Sequence, residues 1–242
     1  MTTSILRSSI TLAPNDDLRA IAQKAQARLD GAPAEAVIEW AVEQFGDRFC
    51  VTSSMADGVL SHLAARVAPG VDVIFLDTGL HFPQTLRVRD EVAATMPVNL
   101  LSIQPRSSVG QQDGEHGPRL FDRDPDTCCA LRKVEPLERA LATYDAWAAG
   151  VRRSETKARA NVREVDFEAS RGKVKVAPLA LWTQADVDAY IKRWNVPVNT
   201  LIRDGYGSVG CWPCTRRTLP GEDPRAGRWP MFDKTECGLH AA

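Results

Sequence analysis

No apolar run in these 242 residues approaches the roughly 18 needed to cross a bilayer. The opening stretch, MTTSILRSSITLAPNDD, lacks both the apolar core and the small-residue cleavage site of a secretory signal. A formal net charge of −1 leaves no overall field to attract nucleic acid. No internal repeat is present. These absences predict a cytoplasmic chain with neither a membrane nor a nucleic acid as partner. Cysteine is sparse, six in all. In a reducing compartment those six are expected to be metal ligands or catalytic thiols rather than a disulfide framework.

What is present is the composition of a soluble globular protein: 44% hydrophobic residues, enough for a proper core, and 25% charged. Basic residues gather in short clusters, Arg132/Lys133, Arg152/Arg153, Arg216/Arg217 and Arg225/Arg228. One such pair reads as a solvated face. Four, three of them close to cysteines or glycine turns, point to a small anionic ligand.

The spacing of apolar residues predicts two helices over 17–45, broken at Gly31 and Pro33. A buried strand follows at Arg48 to Thr52, then the turn Ser53-Ser54-Met55-Ala56-Asp57-Gly58. A helix carrying Val59, Leu60, Leu63 and Val67 leads to a strand from Val71 to Leu76, ending in Asp77-Thr78-Gly79. A helix at about 83–95 and a strand from Val98 to Ile103 complete right-handed βαβ units, hence a parallel twisted sheet of an α/β protein. Ligands of such sheets sit beyond the C-terminal strand ends, where both turns lie. Residues 104–127 read as a polar loop, with Asp126 or Thr127 capping a helix from the paired cysteines to Leu141. A strand is expected at Ala146 to Val151, a basic polar stretch at Arg152 to Arg163, and a short strand at Val174 to Val176. Thr183 and Asp186 form a capping box for a helix bearing Val187, Tyr190, Ile191 and Trp194, a core stripe. From Pro197 the chain is rich in glycine and proline and shows little periodicity. The division expected is a helical extension at 1–35, a nucleotide-binding α/β domain at 36–196 and an irregular C-terminal segment at 197–242.

Cys128 and Cys129 are adjacent, and Cys211 and Cys214 form a C-x-x-C. Four thiolates in two close pairs can hold a zinc ion or an iron–sulfur cluster. A thioredoxin-like redox pair is the weakest reading, because this C-x-x-C does not follow the first strand and open a helix. Vicinal cysteines are awkward for one tetrahedral ion, which tips the chemistry slightly toward a cluster. Cys50, inside an apolar strand, reads as an inert core residue. Cys237, in Lys234-Thr235-Glu236-Cys237-Gly238-Leu239-His240, reads as a nucleophile on a flexible arm, its pKa lowered by nearby cations such as Lys234, His240, Arg225 and Arg228.

Cys128-Cys129 with Cys211-x-x-Cys214, then Arg225-Ala226-Gly227-Arg228-Trp229 and Glu236-Cys237-Gly238-Leu239-His240, resembles the assimilatory adenylylsulfate reductases of bacteria. These are the iron–sulfur branch of the phosphosulfate reductases, and the likeness runs from about residue 40 to the end. It implies a fold like that of the adenine-nucleotide α-hydrolases, related to the PP-loop ATP pyrophosphatases. It implies one 4Fe-4S cluster on Cys128, Cys129, Cys211 and Cys214, and Cys237 as the nucleophile. It implies contacts to a phosphosulfate by Lys133, Arg225, Arg228 and one of Arg152 and Arg153, with His240 nearby. Nucleotide loops are implied at Ser53, Ser54 and Asp57 and at Leu76, Asp77, Thr78 and Gly79. The expected reaction is reduction of adenosine 5′-phosphosulfate to sulfite and AMP, with thioredoxin or a similar dithiol as electron donor. A homo-oligomer is compatible with it. The first loop departs from the pyrophosphatases' S-G-G-x-D-S, which argues against pyrophosphate or adenylating chemistry. The alternatives are a reductase of the 3′-phosphorylated nucleotide and a zinc-stapled nucleotide-binding module without catalysis. The role of His81, just past the second loop, is open.

Overall fold

The computed structural model describes residues 13–234, 236, 238 and 239. Cys237 and His240, both expected at the site, lie outside the described residues. The six strands are β1 (Phe49–Thr52), β2 (Val71–Leu76), β3 (Val98–Ile103), β4 (Ala146–Ala149), β5 (Val165–Glu168) and β6 (Lys173–Val176). They form one sheet in the order β3-β2-β1-β4-β6-β5. All neighbours are parallel except β5 and β6, an antiparallel edge pair. The expected parallel sheet is therefore present with one antiparallel strand added. Strand β5 escapes sequence reading because its four residues alternate valine and phenylalanine with acids, a weak signal among charged neighbours.

Two helices precede the sheet, α1 (Asn15–Leu29) and α2 (Ala34–Phe45). Helices α3 (Val59–Val67) and α4 (Pro83–Thr95) are the two crossovers. The alternation of strand side chains separates two cores. Val51, Val73, Phe75, Ala146 and Ala148 face α1 to α4 in the larger one, which takes in Leu18, Ala22, Ala25 and Leu29 of α1. Cys50, Ile74, Trp147 and Ala149 face the opposite side, against Leu137 and Leu141. Cys50 is fully buried there, as its sequence context predicts, and burial pushes its thiol well up.

Residues 104–127 are not the loop expected. They hold α5 (Val109–His116), α6 (Leu120–Arg123) and the start of α7 (Pro125–Cys129). Helix α5 begins with a capping box between Ser108 and Gln111, which its polar sequence conceals from a hydrophobic-period search. The cysteine helix is capped by Asp124 rather than Asp126 or Thr127: Asp124 accepts from the Thr127 amide at 2.9 Å, with Pro125 in the first turn. After Cys129 the helix widens into a π segment, Ala130–Val134, before α8 (Glu135–Leu141). The capping box of α9 (Gln184–Trp194) is formed by Thr183 and Asp186 as expected. Past Pro197, the described residues contain only short 3₁₀ turns and isolated bridges. No helix of the described residues is long and apolar enough to cross a membrane.

Candidate active site

Chain direction across the sheet reverses between β1 and β4, and the loops after β1, β2 and β4 meet at that switch point. A cavity of about 620 Å³ opens there, within the range of small-molecule sites. Its floor is the loop after β1. Ser53, Ser54 and Asp57 line it, and the buried Met55 takes a left-handed φ of 58° where the pyrophosphatases place glycine. The Met55 amide donates to Ser53 Oγ at 3.3 Å, which helps hold this strained turn. The C-terminal segment closes over the loop. The Gly58 amide donates to the Pro197 carbonyl at 2.9 Å and the Asn199 amide to the Ala56 carbonyl at 3.0 Å.

Asp57 is partly open to the cavity, yet loss of bulk water around its carboxyl raises its pKa. Folding therefore favours the protonated acid. Its contribution is full below the unfolded pKa and is lost as pH rises through the raised folded value. Asp57→Asn keeps an acceptor for the Val59 amide, which now donates to Asp57 Oδ1 at 2.9 Å, and removes the charge. We expect its Tm advantage over wild type to grow from acid to neutral pH, by about 2–4 °C per kcal/mol recovered. A melting series across pH checks this; an advantage independent of pH would contradict it.

After β2, Leu76 and Thr78 line the cavity, whereas Asp77 and Gly79 do not. Asp77 accepts from the Gly79 amide at 3.1 Å and pairs with Arg89 at 3.5 Å. Gly79 adopts a φ of 70° beside the Arg132 guanidinium. These two residues shape the turn rather than face the cavity. His81, left open by the sequence, does line it. Its Nε2 lies 2.8 Å from the Leu76 carbonyl, which can only accept, so Nε2 carries the proton. Its Nδ1 is then a buried acceptor with no hydrogen-bond partner among the described residues. Burial lowers the pKa of this imidazole.

The cationic wall comes from three parts of the chain: Lys133 on the π segment, Arg152 and Arg159 beyond β4, and Arg225 and Arg228 from the C-terminal segment. Arg152 and Arg153, indistinguishable in sequence, turn opposite ways because Arg152 is extended. Arg152 lines the cavity and donates to Gln184 at 2.9 Å. Arg153 points away, donating to the Val162 carbonyl at 2.6 Å and pairing with Glu164 at 3.1 Å. Arg159 lines the cavity although sequence reading passed over it; its only signal was membership of the basic stretch. Arg228 is buried, donates to Ser208 Oγ at 3.3 Å and stacks 4.5 Å from the Trp229 ring. The Nε atoms of Arg152 and Arg228 are buried donors without a hydrogen-bond partner among the described residues. Leaving such donors unmade costs about 1–3 kcal/mol each. That places the cost at a site suited to an anion.

The four paired cysteines line one small pocket, together with Leu80, Phe121, Pro125, Arg132 and Lys133. Cys211 and Lys133 line this pocket and the cavity alike, so the two share a wall. Cys211 Sγ lies 3.3 Å from Thr78 Oγ1 of the β2 loop, and His81 forms a β-bridge with Cys211. Burial first, and the neighbouring Cys211 sulfur second, push the Cys214 thiol up to about 11 and raise that of Cys128. Among the described residues, no three His, Cys, Asp or Glu side chains form a group that would close on a single metal ion.

The residues flanking Cys237 reach the same cavity. Lys234 pairs with Asp126 on the cysteine helix. Glu236 bonds Arg159 and Arg225, and Leu239 lines the cavity, its carbonyl accepting from Arg171 at 3.3 Å.

An α/β nucleotide fold with a cation-lined cavity beside four cysteines defines the class. The phosphoadenosine phosphosulfate reductase domain family matches residues 48–217, and the chain belongs to that family. It is 57% identical over 225 residues to an adenosine 5′-phosphosulfate reductase of Streptomyces coelicolor, covering 93% of this chain and 95% of that protein. To the enzyme of the same name from Mycobacterium tuberculosis it is 46% identical, covering 93% and 95%. A phosphoadenylyl-sulfate reductase structure from Candida auris superposes with a TM-score of 0.70 at 30% identity, over 86% of this chain and all of that one. An FMN adenylyltransferase of Candida glabrata, 13% identical with a TM-score of 0.53 over 88% and 71% of the two chains, shares the fold alone.

Proposed function

We propose that this protein reduces adenosine 5′-phosphosulfate to sulfite and AMP. The observation that carries the reading is the cavity's cationic wall, with the unmatched Nε donors of Arg152 and Arg228, at the switch point of an adenine-nucleotide fold. The loops at Ser53 to Asp57 and at Leu76 and Thr78 take the nucleoside. Arg152, Arg225, Arg228 and Lys133 take the phosphosulfate oxygens through charge-assisted hydrogen bonds. Cys237 Sγ, as thiolate, attacks the sulfuryl sulfur. The S–O bond to phosphate breaks and AMP departs, its new charge held by the same cations. A dithiol such as thioredoxin then attacks Cys237 Sγ of the S-sulfocysteine. Sulfite leaves with the S–S bonding pair, a mixed disulfide joins Cys237 to the donor, and the donor's second thiolate attacks its own bridged sulfur, expelling the Cys237 thiolate and closing the donor disulfide.

Cys128, Cys129, Cys211 and Cys214 would hold a 4Fe-4S cluster, a reading supported by an all-sulfur donor set around one pocket. When bound, such a cluster supplies a rigid anchor and an electrostatic centre at the shared wall, since thiol displacement at sulfur needs no one-electron carrier. Thiols that must stay reduced suit the cytoplasm. The names of the relatives and the four cysteines favour the nucleotide without a 3′-phosphate. Sulfite release measured with each nucleotide tests this: a preference for the 3′-phosphorylated form would overturn it.

Gly210 provides a check on the wall. A Cβ there would stand 2.2 Å from Arg228 Nη2 and 2.4 Å from its Cζ. Gly210→Ala must therefore displace the guanidinium. We expect both it and Arg228→Ala to weaken AMP binding by about ten- to a hundredfold, the range for losing a hydrogen bond to a charged group. Calorimetric titration reads this; unchanged affinity in both variants would remove Arg228 from the site.

A further inference from the structure

We propose that Glu236 is a positioning residue, a clasp that sets the tail thiol at the anion cavity and whose release frees the tail. This deepens the functional reading above and rests on it. Glu236 meets Arg159 fork to fork: Arg159 Nε donates to Oε1 at 3.0 Å and Nη2 to Oε2 at 2.8 Å. Arg225 Nη2 donates to the same Oε2 at 3.1 Å. Both arginines line the cavity, and both are largely buried, at 11% and 15% side-chain exposure. Arg159 also pairs with Glu155, so its guanidinium is committed to two carboxylates. Burial opposes the Arg159 charge, but Glu236 and Glu155 outweigh it and raise its pKa. Arg159 is thus a tail anchor, while Arg225 serves both Glu236 and the substrate, beside Arg152, Arg228 and Lys133.

Glu236 is joined to Cys237 by one peptide bond, and consecutive Cα atoms are about 3.8 Å apart. Fixing the carboxylate therefore limits how far the next residue can travel from the arginines that line the cavity. On the far side of Cys237, the docked stretch reaches Leu239, whose apolar side chain packs against the smaller core. Among the described residues, the tail is held by the ion pairs of Lys234 with Asp126 and of Glu236 with Arg159 and Arg225, by the Leu239 carbonyl and by Leu239 packing on the smaller core. Such a tail is held by few contacts and can detach locally without unfolding the sheet. Detachment is required in the second half-reaction, because a dithiol carried by a protein must reach the modified sulfur. The clasp thus accelerates the first step and limits the second.

The test separates the first-turnover rate from nucleotide affinity in the cluster-loaded enzyme. Without any thiol donor, formation of the sulfonated enzyme is followed by quench and intact mass, and AMP affinity by titration. Glu236→Gln is expected to slow adduct formation by about ten- to a hundredfold, the range for losing a charge-assisted bond. AMP affinity should stay within about twofold of wild type or tighten, since the variant leaves the substrate-facing cations in place. Arg159→Lys keeps the charge but loses the fork, and should act in the same direction. Combining the two should slow the step little beyond either alone, as expected for partners in one contact. Wild-type adduct rates in Glu236→Gln would overturn the clasp and leave the proposed reaction intact. So would a loss of AMP affinity equal to the loss of rate, which would make Glu236 part of the nucleotide site. No adduct in the wild-type enzyme would overturn both.

Discussion

Cys237→Ser is expected to bind AMP as wild type does and to produce no detectable sulfite, a loss of at least about 10⁴-fold, as removal of a covalent nucleophile produces. A serine hydroxyl is close in shape to the thiol but stays protonated near neutrality. The cationic wall is untouched, so binding and turnover should separate completely. A chloride- and phosphate-free buffer is preferable for the titration, because other anions would compete for Arg152 and Arg228. Sulfite assay and calorimetry on the same preparation check the prediction, and residual turnover above a hundredth of wild type would contradict the assigned nucleophile.

Cys211→Ser carries the second large effect. Cys211 touches Thr78 of the β2 loop at 3.3 Å, bridges His81 and lines both the cysteine pocket and the cavity. Its replacement removes one of the four proposed cluster ligands and should abolish the brown colour and most of the bound iron of anaerobically purified protein. The segment beyond Pro197 has little regular structure, and binding at the cysteines contributes to its folding free energy. We therefore expect faster proteolysis after Pro197, with the sheet retained, and sulfite production at least about 100-fold lower, a larger loss than removal of an outer partner causes. Metal analysis, circular dichroism and timed digestion check it. A colourless wild-type protein containing zinc would contradict the cluster, and full activity in the variant would contradict the shared wall.

Much of this was legible in the sequence. The first three strands and their crossovers follow from apolar runs of regular length, punctuated by Gly58, Gly70 and Gly79. The two glycine-marked turns then fall at strand ends, where the sheet physics puts ligands. The two cysteine pairs, far apart in the chain, line one pocket. What was hidden depends on long-range placement or on polar composition. Helix α5 is stabilised by its capping box and buries only Gln112, so no apolar period announces it. Strand β5 pairs only at the sheet edge. Arg159 enters the wall because the 3₁₀ turns after Arg152 bring it round, a geometry with no hydrophobic signature. Arg153 differs from Arg152 only by backbone direction, which two consecutive arginines cannot reveal. Asp77 carries the look of a nucleotide contact, yet its carboxylate is used to hold its own turn and Arg89.

The strained turn at Met55 connects fold to function. In the related pyrophosphatases the loop is glycine-rich; here the Met55 side chain is buried in the main core while its backbone stays left-handed. The loop is thereby fixed by packing rather than left adaptable, which suits positioning a nucleoside and leaves the chemistry to the tail and the cations.

The proposed reaction depends on covalent transfer of the sulfonate to one thiol. Incubating the cluster-loaded enzyme with adenosine 5′-phosphosulfate in the absence of any dithiol, then digesting and weighing its peptides, measures that transfer directly. The expected result is one added sulfonate per chain, on the peptide containing Cys237, removed by a dithiol with stoichiometric sulfite. Unmodified Cys237, or a sulfonate carried by another residue, would contradict it.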